Sequence, residues 1–142
     1  MCNEENETKK LFLRQYQASR RREKEIAEEL ATLEAAYLPK SPNIDGMPHG
    51  GSGADLATFA ARYDELYAKL KKQQEHSINV YHHIVDAIEA METGEDAKTL
   101  LRYRYILGKT WEEIAVLMHY TYRHTTRLHG AALQKLGAVK CP

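Results

Sequence analysis

The chain has 142 residues, and its 20 Lys/Arg are matched by 20 Asp/Glu. That length allows one or two small domains and excludes the core of a large enzyme. Nine Tyr, two Phe, four Pro and no sustained strand-like alternation point to an all-α fold.

The N-terminus, Asn3-Glu4-Glu5-Asn6-Glu7, is acidic and polar, unlike a signal peptide. A first helix is expected from about Glu7 to Tyr37. Phe12, Tyr16, Ser19, Glu23, Ile26, Leu30, Leu33 and Tyr37 are spaced 4-3-4-3, a heptad seam with a polar middle. Arg20-Arg21-Arg22 lies in that middle, but Glu23, Glu25, Glu28 and Glu29 follow at once. Arg–Glu pairs on a solvated helix face explain this run better than a phosphate site does.

Residues 38 to 54 carry three prolines and four glycines and are read as a loop. Gly50-Gly51-Ser52-Gly53 has no preceding strand and no following Gly-Lys-Ser/Thr, so it is a poor nucleotide cradle. Asp55 is placed as the cap of a second helix running to about Met91 or Glu92. Its seam is Leu56, Phe59, Tyr63, Leu66, Leu70, Gln73, Ser77, Val80, Ile84, Ala87 and Met91. A seam that long needs another long helix against it, either the first helix folded back or a second copy. The reading adopted is an antiparallel helical hairpin whose extra stripe, Ala60, Tyr67, Tyr81 and Ile88, mediates self-association. Gln73 and Ser77 form a polar layer that Ser19 and Glu23 can face. Thr93-Gly94-Glu95-Asp96 breaks the chain, which places a domain boundary at 94, with 1–94 as the oligomerising hairpin.

Residues 95–142 read as three short helices. Thr110-Trp111-Glu112-Glu113 has the capping-box pattern, and Trp111, Ile114, Ala115 and Met118 make one apolar face. His119-Tyr120-Thr121 is a short break after which Thr121 can cap a last helix from Tyr122 to about Leu136. That helix buries Thr125, Leu128, Ala132 and Leu136, and presents Tyr122, Arg123, Thr126, Arg127 and Gly130. The last two helices have the pattern of a helix-turn-helix. Charge supports a division of labour: 95–142 holds eight Lys/Arg against four Asp/Glu, and 1–94 twelve against sixteen. The C-terminal part is the half expected to meet nucleic acid.

Leu101-Arg102-Tyr103-Arg104-Tyr105, Gly108, Trp111-Glu112-Glu113-Ile114-Ala115 and the run from Thr121 to Leu136 resemble the promoter-reading region 4 of bacterial sigma factors. Together with the loop Pro42 to Gly51 and Arg127-Leu128-His129-Gly130, they resemble more closely a family of phage and prophage regulators. These are the sigma-like, late-gene regulators of the ArpU and RinA kind, and the similarity extends over roughly residues 10 to 137. Two positions depart from the pattern. His119 stands where Gly is usual and is expected at positive φ, and Thr125 replaces a branched aliphatic.

The resemblance implies a DNA-binding transcriptional regulator of a bacterial host's cytoplasm. Tyr122, Arg123, His124, Thr126 and Arg127 then reach bases and neighbouring phosphates, since the first turn of a recognition helix enters the major groove. Arg suits guanine O6/N7, and the Thr methyl packs on thymine. Arg102, Arg104, Lys109 and Lys135 are assigned to phosphates, which orient without reading sequence. Gly130, costly in mid-helix, is explained by close approach to DNA or to another helix. The expected partners are double-stranded DNA and further copies of the chain, with RNA polymerase as another candidate, and no membrane, since no apolar run reaches bilayer length.

Other chemistry finds little support. His82 and His83 point to different faces, and His119, His124 and His129 walk around a helix. Cys2 and Cys141 lie far apart without CxxC spacing, so no zinc site, disulfide or cofactor is expected. No nucleophile has a base beside it, so the chain is not read as an enzyme. The alternatives are a small-terminase-like DNA-binding subunit of a phage packaging complex, and a binder of RNA polymerase or a sigma factor that does not read DNA.

Overall fold

The computed structural model describes residues 2–37 and 53–137. Every regular element among them is helical: α1 (Cys2–Tyr37), α2 (Gly53–Glu89), α3 (Glu95–Leu101), a π-helical stretch (Arg102–Ile106), α4 (Trp111–Met118) and α5 (Tyr122–Lys135). The all-α expectation therefore holds. α1 starts five residues before the expected Glu7, and α2 starts at Gly53. Asp55 thus sits inside the first turn of α2 rather than before it, where its charge faces the positive end of the helix. The loop carrying the Gly-Met-Pro-His-Gly-Gly phrase lies outside the described residues.

The chain divides into two compact units, Met1–Arg20 with His76–Pro142, and Arg21–Glu75. In the first, the start of α1 and the end of α2 share a core with the C-terminal helices: Phe12, Leu13, Val80, Ile84, Ile88, Met91, Leu100, Leu101, Tyr105, Ile114, Leu133 and Leu136 are all buried. Residues on both sides of position 94 therefore belong to one core. Ile88, assigned by its spacing to an outer self-association stripe, is fully buried here. It lies one turn after Ile84 on the same face, so the α2 seam widens from a coiled-coil line to a broader apolar face where more helices pack on it. Tyr81 stays exposed.

The two helix segments of this unit run antiparallel. Tyr16 meets Tyr81 with ring centroids 5.6 Å apart, and Ser19 Oγ lies 2.6 Å from Ser77 Oγ. The polar layer expected from sequence is thus a buried hydroxyl pair, which satisfies both groups out of water.

In the second unit the α1 and α2 segments also meet in antiparallel order. Tyr37 stacks on Phe59 at 4.3 Å, and the Tyr63 hydroxyl donates to the Glu34 carboxylate, which holds that phenol above its usual pKa. Ile26 is the one apolar side chain here that is fully buried among the described residues, while Leu30, Leu33, Leu66 and Leu70 are half-buried. Arg22 pairs with Glu25 at 3.1 Å on the exposed face, as the sequence of the Arg run suggested. Such pairs contribute little in high dielectric.

Between α4 and α5 the backbone turns at His119, with φ 59° and ψ 37°. Tyr120 N–H donates to the Ala115 carbonyl at 2.9 Å, the wide-loop bond of a left-handed helix terminus. A Cβ in that conformation is strained, and glycine relieves it. His119→Gly is expected to stabilise the protein by about 0.5–1 kcal/mol, the relief being partly offset by the freer unfolded chain. Urea denaturation would measure it, and an unchanged or lower midpoint would show that the exposed imidazole makes up for the strain.

Candidate nucleic-acid interface

Two caps set where α4 and α5 begin. Thr110 Oγ1 accepts from Glu113 N–H at 3.2 Å, and the Glu113 carboxylate accepts from Thr110 N–H at 2.8 Å, completing the capping box. That backbone bond is the main reason the Glu113 carboxyl lies below its usual range. Thr121 Oγ1 accepts from His124 N–H at 3.1 Å, and Tyr120 hydroxyl donates to Asp96 at 2.6 Å, fastening the turn to the start of α3.

α5 buries Thr125, His129, Ala132 and Leu133, with Leu136 just beyond its end. The expected Leu128 is half-buried, and His129 takes the deeper position. The Thr125 hydroxyl, unusual in such a core, donates back to the Thr121 carbonyl at 2.9 Å. The opposite face carries Tyr122, Arg123 and Arg127, all exposed, with Thr126 half-exposed beside them. His124 lies one step round, exposed, its ring edge-on to Tyr120 at 4.5 Å. Neither Arg123 nor Arg127 has an ion pair among the described residues, and α5 contains no Asp or Glu. Lys135 is exposed two turns beyond Arg127.

The remaining assigned cations are partly committed to the fold. Arg102 forms an ion pair with Glu89, tying the π-helical stretch to the end of α2. Arg104 lies over the Trp111 ring, 4.5 Å from its centroid, and donates from Nη1 to the Lys109 carbonyl at 3.1 Å. Lys109 itself is half-buried, and Arg104 and Lys109 sit together at the corner before α4. A Cβ added at Gly130 would meet nothing within 4 Å. Approach of another helix of this chain therefore does not explain that glycine.

Sequence spacing did not single out the buried cluster under this surface. His129 Nε2 lies 2.7 Å from the Tyr105 hydroxyl, and its ring stands edge-on to Trp111 at 4.6 Å. Burial pushes the imidazole pKa down to about 4, helped by the positive charges of Lys10, Arg104 and Arg14. Burial likewise raises the Tyr105 phenol, so the pair is neutral near pH 7. The neutral imidazole and the neutral phenol share one hydrogen bond, in which either can donate according to the ring's tautomer. Among the described residues, no group of three or more His, Cys, Asp or Glu side chains is arranged to hold a metal ion, and no helix is long and apolar enough to cross a membrane.

In comparison with known proteins, no family model, no curated protein and no solved structure matches this chain.

The depressed His129 pKa makes stability depend on pH. The unfolded imidazole takes a proton below about 6.5, while the folded one resists until about 4, so stability falls as pH drops through that window. The slope approaches about 1.4 kcal/mol per pH unit at 25 °C. Urea melts at stepwise pH values should show this loss in the native protein, and His129→Gln should lack it between about pH 6.5 and 5, above most carboxylates. Parallel pH profiles for the two proteins would refute the assignment.

Proposed function

We propose that α4 and α5 form a helix-turn-helix that reads double-stranded DNA, with α5 in the major groove. The protein would act in more than one copy as a sigma-like transcriptional regulator of the phage and prophage kind. The observation that carries this reading is the outer face of α5. On the first two turns of a helix without a single carboxylate it exposes a tyrosine and two arginines that have no ion pair among the described residues, with Thr126 half-exposed beside them. The helix's other face is occupied by the core, so these side chains are held at fixed spacing rather than on a loop.

The resemblance of residues 101–136 to sigma region 4 supports the same reading. Tyr122, Arg123, Thr126 and Arg127 take the base-facing positions, and Lys109 and Lys135 the backbone positions. The protein is then a binding protein rather than an enzyme. The thinly buried second unit supports multiple copies, because a two-helix layer gains stability when another apolar surface covers Leu30, Leu33, Leu66 and Leu70. Linking two reading heads raises affinity through effective concentration.

Footprinting across the protein's own gene neighbourhood would supply the duplex, and fluorescence anisotropy the affinities. Arg127→Ala is expected to weaken cognate binding by about 1–3 kcal/mol and to relax discrimination. Lys109→Ala should weaken cognate and scrambled duplexes alike. Equal losses for both variants on both duplexes, or no binding to any duplex at low salt, would rule the reading out.

A further inference from the structure

Lys10, Arg14 and Gln17 follow one another along α1 at steps of four and three, which puts them on one stripe of the helix. α1 is tied to the C-terminal helices on either side of this stripe's cations. Near one end, Lys9 Nζ donates to the Leu133 carbonyl of α5 at 3.0 Å. At the other, the Gln17 amide donates to the carbonyls of Tyr105 and Ile106 at 3.1 and 2.9 Å. Lys10 and Arg14 therefore lie on the stretch of α1 between its two ties to α5 and the π-helical stretch.

Arg14 is exposed and makes no ion pair or hydrogen bond among the described residues. Among the described residues Lys10 pairs with Glu7, one turn away on the same helix at 2.7 Å. Arg104 adds a third cation, its guanidinium fixed over Trp111. The Gln17 amide, on the same stripe as Lys10 and Arg14, reaches the carbonyl of Tyr105, the residue next to Arg104, and all three charges disfavour a proton on the buried His129. The Glu7 carboxylate, held below its usual pKa chiefly by Lys10 and also by Arg14, offsets part of this charge; three cations against one carboxylate still raise the energy of the free protein. An anion from outside the chain removes that cost.

We propose that Lys10 and Arg14 of α1 form, together with Arg104, a second contact site for the phosphate backbone of duplex DNA, beside the groove contact made by α5. The proposal rests on the DNA-reading role given to α5 above, and it extends the interface into the half of the chain whose net charge is negative. Phosphate contacts of this kind fix the register of a reading helix without sensing sequence. They also supply affinity that falls with salt as condensed counterions are released.

The test uses the full-length protein and the duplex it protects, with affinity measured by anisotropy from about 50 to 300 mM salt, a range over which counterion release is readily resolved. Arg14→Gln is expected to weaken binding several-fold at about 0.1 M salt and to reduce the log–log salt slope by about 0.9. Combining it with Lys10→Gln should reduce the slope by about 1.8. Both losses should be alike on cognate and scrambled duplexes, and Arg14→Lys should keep the native slope. Circular dichroism and thermal melting should match the native protein. Native slopes in both Gln variants, or a loss of affinity with the slope unchanged, would overturn the proposal. If Arg127→Ala still relaxed discrimination in that case, the α5 reading would stand without it. A native protein that binds no duplex at any salt concentration overturns both.

Discussion

The amide of Gln17 holds two backbone carbonyls at the end of the π-helical stretch, and the rest of the C-terminal arrangement depends on that hold. The last carbonyls of any helix lack intrahelical partners, and a terminus packed against another element must find them elsewhere. Here the chain reaches across 88 and 89 residues of sequence to supply them. The same helix donates Lys9 to Leu133 at the end of α5. Between these two ties, Phe12 and Leu13 enter the core. The start of α1 is thus a structural part of the C-terminal module. Gly108 closes the corner with a φ of +67°, and a Cβ there would be in ordinary van der Waals contact with the Gln17 side chain, 3.4 Å away.

Size explains why the module borrows this helix. Residues 95–137 make three short helices and one π-helical stretch, too little chain to enclose a core unaided. Leu13, Ile84 and Ile88 are fully buried, and each such side chain contributes about 1.5–3 kcal/mol when removed from water. Without the ends of α1 and α2, Leu100, Leu101 and Leu133 would face solvent. A consequence for the proposed reading is rigidity. The groove-facing residues of α5 are held by a core that includes residues far upstream, so their spacing does not depend on a flexible tether.

Local signals in the sequence are legible where short-range chemistry decides the structure. The Thr110 capping box, the Thr121 cap and the left-handed turn at His119 each depend on side chains within four residues of the backbone they satisfy. The heptad seams are legible over most of their length, because a period of 3.5 survives whatever covers it, but Tyr37 and Leu56 at their ends are exposed. What covers the seam was not legible. Ile88 reads as an outer residue beside a narrow seam, yet it is buried because α3 and its neighbours pack on that side of α2. The division at 94 follows the break in helical periodicity, whereas packing follows the apolar faces across it. On α5, apolar bias selected Leu128 over His129. A histidine takes the deeper place because Tyr105, 24 residues away, offers a hydroxyl to its ring nitrogen. No pattern along one helix reports a partner on another. The exposed face of α5 was legible as a set of residues, while the commitment of Arg102 to Glu89 and of Arg104 to Trp111 required the fold.

The Tyr105–His129 pair and the basic surface above it follow from the same electrostatics. Lys10, Arg14 and Arg104 all disfavour a proton on the buried imidazole, and burial does so more strongly still. A charged histidine at that point would add a fourth cation to an already positive region and would bury that charge out of water. Keeping the pair neutral confines the positive charge to side chains that reach solvent, where a phosphate can meet it. A carboxylate at position 129 would neutralise that field from within and weaken the attraction for an external anion. An aliphatic side chain would strand the Tyr105 hydroxyl in the core. A neutral imidazole satisfies the hydroxyl and leaves the surface field intact, so the polar core of this unit and the basicity of its proposed DNA face rest on one choice of residue.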